Sequence, residues 1–369
     1  MGRSPRRTCS LKINKDAGRR KLESSPMSRS GVGRTRILTI VWGPFGFRAD
    51  ELAESVGAER VSITFLYGPR YFAPLRYLVL FFKTLVILGQ RSPDVVYAQN
   101  PPVFCPLTCL LYCRLAGKKL VIDHHSIWRV KTLGGSPLSR AIGFLEAFVS
   151  RAAAGNTAPH SFWGDKLRAM GASNVLVVHD YVERNPNPRD DAIRRQYTDK
   201  GVVAVCSHGG HPLERIETEA SAVGRVGSVA LLITGPREKL EHRLSSFPLP
   251  PNVEYLGFLP RQPYESLKAS ADFAINITDE PFTLSHVLLE YAASSLPVVS
   301  SRQDVLEDFF GDSLLYTDSS DADEVASKVR MMLDEGVRAD YRSRISRWYG
   351  ALSASRQAEL AELKSLLDR

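Results

Sequence analysis

The stretch "PFTLSHVLLEYAASSLPVVSS", residues 281–301, combines the two elements that decide the fold. It opens on a turn-like proline, becomes a short amphipathic helix near Ser285 and ends as an apolar strand rich in valine. A helix that leads directly into such a strand is typical of a parallel sheet, whose strands are joined through helices. One carboxylate, Glu290, stands on this helix where further apolar residues would build core.

Outward from this stretch, short β-branched runs alternate with longer amphipathic ones from residue 36 onward. Such alternation predicts repeated strand–helix–strand units. The runs fall into two sets, one of which begins at "RILTIVW", residues 36–42, and the other at "VVAVCS", residues 202–207. At 369 residues the chain is also longer than one core usually supports. The predicted fold class is therefore α/β, with two doubly wound Rossmann-like domains that face each other across a cleft.

The polar, proline-interrupted segment "ERNPNPRDD", residues 183–191, separates the two sets and predicts a hinge. We expect a first domain over 36–182, a linker over 183–194 and a second domain over 195–345. Residues 346–369 are predicted as a C-terminal helix, with Trp348 and Tyr349 as anchors that pack it back onto the body.

Charge is concentrated at the N-terminus. The chain carries a net charge of +8, and residues 1–36 hold eleven Lys and Arg against two acidic residues. Residues 1–35 contain few apolar side chains, so this basic leader is predicted to be disordered. An unstructured extension that precedes a start at Met27 is the favoured interpretation. A tether to anionic lipid or nucleic acid is the alternative, although we expect no nucleic-acid partner.

Cysteine usage and hydropathy indicate a cytoplasmic protein. The five cysteines form no CxxC pair, and Cys105, Cys109 and Cys113 recur every four residues, as in the apolar stripe of a helix. We therefore expect core thiols in a reducing compartment. The segment "YFAPLRYLVLFFKTLVILG", residues 71–89, is broken by Arg76 and Lys83, which disfavours a membrane span. It is either a buried helix or a helix in a membrane interface, on the inner face of the membrane.

Polar residues beyond strand ends are the candidate site, because ligands of open α/β sheets bind at the carboxyl ends of the strands. Asp279 and Glu280 follow the strand at residues 273–278. Backbone amides at the start of the next helix, at Ser285, His286 and Val287, can donate to a diphosphate. Glu290 can accept from both hydroxyls of a ribose. The alternative, about as probable from these residues alone, is an ordinary N-cap and a solvated glutamate.

Residues 252–301, "NVEYLGFLP" through "LLEYAASSLPVVSS", resemble the C-terminal signature of family 4 glycosyltransferases with the GT-B fold. Residues 93–126, which include "YAQNPP" and "VIDHHS", are similar to members related to the mannosyltransferase that elongates dolichol-linked chitobiose. The resemblance covers about residues 36–345. It implies transfer of a hexose from a UDP- or GDP-sugar to a lipid-linked or glycan acceptor. The nucleotide sugar is then a substrate, and neither a cofactor nor a metal is expected.

The resemblance also implies roles for residues of the second domain. Glu290 matches the second Glu of the family's paired-Glu motif, which binds ribose, and Ser285 and His286 match the positions that hold the diphosphate. The first Glu of the motif is replaced by Phe282, so Asp279 or Glu280 is the candidate for sugar contact and catalysis. The loop "HGGHPLER", residues 208–215, lacks the family's Arg and Lys. We expect the positive charge from one of three residues, His211, Arg215 or Arg237.

In the first domain, His125 of "IDHHS" falls where relatives carry a histidine that contacts the sugar or acts as general base. A purely structural histidine is the alternative for either His124 or His125. Gly43 and Gly46 of "WGPFGFR" permit close backbone approach and are interpreted as acceptor-facing. Asn100 ends a strand on the same acceptor side, where a tight turn is the simpler explanation.

Two other functions remain open at this stage. A nucleotide-sugar epimerase would consume donor without an acceptor. A non-catalytic GT-B subunit would bind a nucleotide sugar or a partner glycosyltransferase and turn over nothing, since a fold does not guarantee activity.

Overall fold

The computed structural model describes residues 35–43, 46–66, 70–125, 136–184, 201–282, 284–318 and 321–368. Residues 1–34 of the predicted leader and residues 185–194 of the predicted linker lie outside these ranges. The described residues form two parallel six-stranded sheets with helices on their faces. The α/β class and the two Rossmann-like halves predicted from the sequence are confirmed.

The first sheet has the strand order β2-β1-β3-β4-β5-β6, and every pairing in it is parallel. Its strands are β1 (Ile37–Val41), β2 (Glu59–Ser62), β3 (Val95–Asn100), β4 (Lys119–His124), β5 (Gly155–Ala158) and β6 (Val175–Val177). The helices that accompany it are α1 (Phe47–Val56), α2 (Ala73–Arg91), α3 (Phe104–Ala116), α4 (Pro137–Ala152) and α5 (Ser161–Ala169).

The second sheet repeats this plan in the order β12-β11-β10-β7-β8-β9. Its strands are β7 (Val202–Ser207), β8 (Val229–Thr234), β9 (Val253–Gly257), β10 (Phe273–Asn276), β11 (Val298–Ser301) and β12 (Leu315–Thr317). Its helices are α6 (Ile216–Gly224), α7 (Arg237–Ser245), α8 (Arg261–Ser270), α9 (His286–Ala293), α10 (Asp304–Phe310) and α11 (Ala322–Met331). A last helix, α12, spans Glu335–Asp368.

Strand β5 is the element that the sequence did not predict. Its residues, "GNTA", carry only one β-branched side chain, so propensity gives little signal. All four residues are nevertheless buried, because β5 pairs with β4 on one side and β6 on the other. Tertiary position, not local preference, makes this segment a strand.

Helix α12 packs against both sheets. Ile345, Tyr349 and Leu352 are buried in a cluster with residues of the second sheet. Farther along, Leu363 and Leu367 are buried in a cluster that contains residues of the first sheet. The helix is continuous through residue 345, where the sequence suggested a boundary. One rigid element therefore contacts both halves of the molecule.

Helix α2 has one buried and one exposed face. Leu80, Thr84 and Leu88 are buried, and the Trp42 indole donates to the Thr84 hydroxyl at 2.8 Å. Cys105, Cys109 and Cys113 of α3 lie in the same apolar cluster as Leu80 and Leu88. By length and composition alone α2 could cross a membrane, and 17% of its apolar window is buried, so it is not a core helix.

Candidate functional site

The helix α9 of the opening stretch lies at the carboxyl edge of the second sheet. Ser285 occupies the cap position in an extended conformation, and His286 is the first helical residue. Amides in the first turn of a helix have no partner within the helix, and they sit at its positive end. His286 is exposed and Val287 half-buried, so this end of α9 is reached from solvent.

Glu290 lies one turn farther along α9 and is held from beneath. Its Oε2 accepts a hydrogen bond from the Tyr264 hydroxyl at 2.7 Å, and the Lys268 ammonium is 3.9 Å from the same oxygen. Both partners come from α8. Its side chain remains 25% exposed. Glu290 is thus a fixed and accessible carboxylate on the helix that carries the amides.

The candidate cations and candidate carboxylates of this edge pair with each other. Arg215 forms an ion pair with Asp279, and His211 Nδ1 lies 3.5 Å from the Glu280 carboxylate. Arg237 begins α7, and its side chain lies against Gly257 at the end of β9. Two of the residues expected to neutralise phosphate are therefore neighbours of the two expected to contact sugar.

The glycine-containing loop after β7 is held by a carboxylate of the same loop, which accepts hydrogen bonds from its backbone amides. Glu214 accepts from the amides of Gly209, Gly210 and His211 at 2.9, 2.8 and 3.0 Å, and Gly210 has a positive φ of 80°. His208 is buried beneath this loop. Its Nε2 donates to Glu219 at 2.6 Å.

Burial alone lowers the pKa of His208, but Glu219 and neighbouring hydrogen bonds raise it well above its usual value. Cys206, His208 and Glu219 also place one potential metal ligand each within 4.8 Å of one another. Because His208 and Glu219 already bind each other, we interpret this group as a structural ion pair that supports the loop.

Phe282, which stands where the family's first Glu is expected, connects the two halves. It has a left-handed backbone, with φ of 60°, which is uncommon for a bulky residue. Its ring stacks on Phe162 of α5 with centroids 5.1 Å apart and planes at 6°. Phe282 thus forms an aromatic contact between the two domains.

The corresponding edge of the first sheet is built on a buried ion network. The Arg48 guanidinium binds Asp123 at 3.0 Å and Asp180 at 2.8 Å. Burial alone raises the pKa of Asp180, but Arg48, His125 and, from the second domain, His286 more than offset this and lower it. His125 of the first domain and His286 of the second are therefore both close enough to Asp180 to act on its charge.

The adjacent histidines at the end of β4, His124 and His125, have different environments. His124 is fully buried, and its Nε2 donates to Asn156 at 3.0 Å while its Nδ1 accepts from Asn100 at 3.1 Å. Burial lowers the pKa of His124 to about 4, so it is neutral at pH 7. His125 is exposed beyond the strand end, and its amide donates to the Asn100 carbonyl at 2.8 Å.

One of the three acceptor-side candidates, Gly43, lines a cavity. Gly43 lines a space of about 450 Å³ together with Trp42, Tyr77 and Pro101. Gly46 caps α1, and a side chain there would meet Arg60 and Gln99. Asn100 is buried, and its amide also donates to Glu146 at 2.8 Å. Asn100 thus holds the turn from inside, whereas Gly43 lies at the surface of the cavity.

Sequence reasoning missed four residues of these edges: Arg48, Asp180, Tyr264 and Lys268. Asp180 ends the segment predicted as a strand over 175–180, so its position beyond a strand was a usable signal. Arg48 is distant from both its partners in sequence. Tyr264 and Lys268 have the i, i+4 spacing of one helix face, a pattern that surface helices share.

Two parallel six-stranded sheets, each with candidate residues beyond its strand ends, are the architecture of the GT-B fold. Residues 26–180 match the family model of the glycosyl transferase 4-like domain, and residues 200–335 match that of the glycosyl transferases group 1. The protein belongs to the GT-B glycosyltransferases of the family 4-like type. No curated protein sequence matches the chain.

Solved structures with the same architecture include three that span 90% or more of this chain. HepE from Anabaena, in complex with UDP-glucose, is 16% identical with a TM-score of 0.71, and all of its chain is covered. Sucrose-phosphate synthase from Thermosynechococcus elongatus is 14% identical with a TM-score of 0.74 and 98% covered. MnaA from S. aureus, in a structure with UDP, is 14% identical with a TM-score of 0.61 and 98% covered. At such identities the likeness shows the fold.

Proposed function

We propose that the protein transfers a hexose from a UDP- or GDP-sugar to a lipid-linked or glycan acceptor. The observation that carries the donor half is Glu290, a carboxylate fixed by Tyr264 yet open to solvent, on the helix whose first amides face the same edge. UDP-glucose and UDP in the structures of HepE and MnaA support a uridine nucleotide as the first to test.

In this proposal the second domain binds the donor. Glu290 accepts from the ribose hydroxyls, and the amides at Ser285, His286 and Val287 donate to the diphosphate, whose charge grows as the sugar leaves. Arg237, which pairs with no carboxylate among the described residues, is the cation we assign to the nucleotide. Asp279 and Glu280 face developing positive charge on the sugar. The scheme uses neither a metal nor a cofactor.

His125 is the first-domain residue we assign to the reaction. It is exposed at the end of a central strand, whereas both ring nitrogens of His124 form buried hydrogen bonds. A histidine in that position is suited to contact the sugar or to accept a proton.

Two cavities support an acceptor with a hydrocarbon chain. The cavity beside Gly43 contains the aromatic residues Trp42 and Tyr77 and one cation, Arg76. A second cavity of about 580 Å³ runs along α2, where Phe82 and Val86 line it. Both cavities include Ile63 and Thr64. They form a mostly apolar path from the strand ends to the exposed face of α2.

That exposed face supports contact with a membrane. Four large apolar side chains, spaced three or four residues apart, are exposed along it, Leu75, Leu78, Phe82 and Val86, and Tyr71 is exposed just before the helix begins. Arg76 and Lys83 lie over aromatic rings, at 5.4 and 5.5 Å from the centroids of Tyr77 and Phe65. Their charged ends can reach lipid headgroups while the stems stay on apolar surface. We place the protein in the cytoplasm, with α2 in the inner membrane leaflet.

Donor turnover tests the catalytic half of this proposal. Purified protein is supplied with UDP- or GDP-sugars, with or without a membrane lipid extract, and free nucleotide is measured. We expect lipid-dependent release that Glu290→Ala lowers about 10- to 100-fold. Glu241→Ala, which removes an exposed glutamate of α7 in the same domain, is the matched control for the loss of a carboxylate. Release without acceptor dependence favours an epimerase. Binding without release favours a non-catalytic subunit.

Vesicle flotation tests the membrane half. We expect the double variant Phe82→Glu and Val86→Glu to lower recovery on anionic vesicles at least roughly tenfold. Phe258→Glu, at an exposed aromatic position of the second domain, is the control. Unchanged recovery of the α2 variant and of a chain that lacks residues 1–35 would rule out both proposed membrane contacts.

A further inference from the structure

A chain of hydroxyl groups leads through the second domain and ends on Glu290. The Thr234 hydroxyl of β8 donates to Ser207 Oγ at 3.0 Å, and Ser207, at the end of β7, donates to the Tyr264 hydroxyl at 3.0 Å. Tyr264 then donates to Glu290 Oε2 at 2.7 Å. Three strand and helix ends are thereby tied to one carboxylate oxygen.

The chain has a direction. Each hydroxyl has one proton, and each gives it to the next group, so the last acceptor is the carboxylate. Burial, together with the charge of Glu290, raises the pKa of Tyr264 well above its usual value, so it remains a donor at neutral pH. A donor already held by Ser207 keeps its own geometry, which fixes the orientation of the carboxylate it contacts.

Lys268 acts on the same carboxylate from within the domain. It is 2% exposed, and a buried ammonium persists only where it is paired. Its Nζ lies 3.0 Å from Glu265 and 3.9 Å from Glu290 Oε2, and it sits 4.6 Å from the centre of the Tyr264 ring. Lys268 therefore lies against the tyrosine ring and beside the Glu290 carboxylate, so that it limits the movement of both side chains.

The result is an asymmetric carboxylate. Oε2 is engaged by Tyr264 and Lys268, whereas the residues that the structure describes give Oε1 no hydrogen-bond partner. A partly exposed oxygen in a fixed orientation accepts best from a donor of matching geometry, and vicinal hydroxyls provide two donors at a fixed spacing.

We propose that Tyr264 and Lys268 are positioning residues that hold Glu290 for a ribose cis-diol and so make the donor site selective for ribonucleotides over 2′-deoxyribonucleotides. This inference rests on the proposed function, because it assumes that Glu290 meets the ribose. It adds an origin for the preference for ribose over deoxyribose, which lies in one half-buried and one buried side chain that need not touch the ligand.

The test measures binding of UDP, GDP and their 2′-deoxy analogues to the full chain by calorimetry. We expect the wild type to prefer the ribonucleotide roughly tenfold, the value of one hydrogen bond to a charged group. Tyr264→Phe and Lys268→Met should reduce that preference towards one, mainly by weakening ribonucleotide binding. Tyr316→Phe is the control, because Tyr316 also donates from within this domain, but to the Leu306 carbonyl.

A preference that persists in Tyr264→Phe and Lys268→Met while both variants bind nucleotide would overturn the inference and leave the proposed function intact. Failure of the wild type to bind any of the nucleotides would overturn the proposed function, and the inference with it. Should Tyr264→Phe not fold, Ser207→Ala interrupts the series of hydroxyl groups one step before Tyr264. The same loss of preference for the ribonucleotide is expected from it.

Discussion

The carboxyl edges of the two sheets differ in where they keep their charges. At the first edge, Arg48 is 3% exposed and shared between two buried aspartates. At the second edge, Arg215 is 43% exposed and pairs with an aspartate that is itself partly exposed. The first edge encloses its ions in the core and presents apolar surface around Gly43 and α2. The second keeps the pair of His208 and Glu219 buried but also presents the pair of Arg215 and Asp279 to solvent, with hydroxyl groups beneath.

The same architecture thus serves two kinds of surface. A buried ion network fixes strand ends without offering charge to solvent, which leaves the neighbouring surface available for apolar contact. Partly exposed ions and a braced carboxylate suit a highly charged, soluble ligand. This division between the edges agrees with the proposal that the first domain takes the acceptor and the second the donor.

The sharpest way to break this comparison is to remove an arginine from each edge. Arg48→Met should lower the free energy of unfolding by about 3–5 kcal/mol, because it leaves Asp123 and Asp180 buried without a counter-charge. Arg215→Met should cost at most about 1 kcal/mol, as expected for an exposed pair. Urea unfolding of both variants at pH 7 measures the difference. Equal losses would show that the two edges do not differ as described.

The second prediction concerns acid stability. Burial lowers the pKa of both His124 and His160 to about 4, so these rings stay neutral in the folded chain. In the unfolded chain they take up protons below about pH 6.5. Stability should therefore fall as pH decreases from about 6.5 to 4, by up to roughly 3 kcal/mol for each histidine.

Unfolding midpoints across this pH range test the claim. His124→Gln should make the fall of stability with pH less steep, because the unfolded chain then takes up one proton fewer. This holds whatever the effect of the substitution on stability at pH 7. His242→Gln, at an exposed position of α7, should leave the slope as in the wild type. An unchanged slope in His124→Gln would mean that His124 is not the neutral, buried group at the first edge.

A third prediction addresses how α12 is held at the first edge. Glu359 accepts from the ring and the amide of His179, at 2.8 and 2.9 Å. Burial alone raises the pKa of Glu359, but His179 offsets this and lowers it to about 2. The contribution is therefore fully present above the unfolded pKa near 4.3 and is lost as pH falls towards 2.

Glu359→Gln should accordingly cost about 2 kcal/mol at pH 7 and little near pH 2. Thermal unfolding at both pH values measures the change. A cost that does not depend on pH would assign the effect to packing of α12 instead of to the hydrogen bonds between His179 and Glu359. Glu362→Gln on the same helix is the control for the loss of a charge.

The smallest predicted effect tests the contact that joins the two edges. Phe282→Leu removes the stack on Phe162 and should destabilise by about 1 kcal/mol, as is typical of an aromatic pair. If the stack also helps the domains to close over the donor, the KM for the nucleotide sugar should rise more than kcat falls. Steady-state kinetics separates the two, with Phe258→Leu as the control at an exposed position. No change in either constant would leave the stack without a role in donor binding.

Much of the fold could be predicted from the sequence, because most of its strands and helices have a recognisable local pattern of apolar and polar residues. Valine-rich runs such as 202–207 and 298–301 alternate with amphipathic segments, and their order predicts parallel sheets. Strand β5 was not accessible, since "GNTA" has no strand pattern. The full extent of α12 was not either, because its apolar residues serve two different sheets in succession.

The site divides in the same way. Glu290 and the start of α9 follow from position along the chain and from the family resemblance. The pairing of Arg215 with Asp279, and of His211 with Glu280, does not, because those partners lie 64 and 69 residues apart and meet only when two strand ends become neighbours. Their assigned roles stay predictions until donor turnover is measured.

By itself the sequence determined two α/β halves, the helix that carries Glu290 and the contrast between a basic N-terminus and a nearly neutral remainder, since periodicity and composition are local properties. Only the tertiary structure decided which charges are buried, which carboxylate oxygen is held and which histidine of "HH" is exposed. These depend on contacts between residues far apart in the chain, and burial sets the cost of every unpaired polar group.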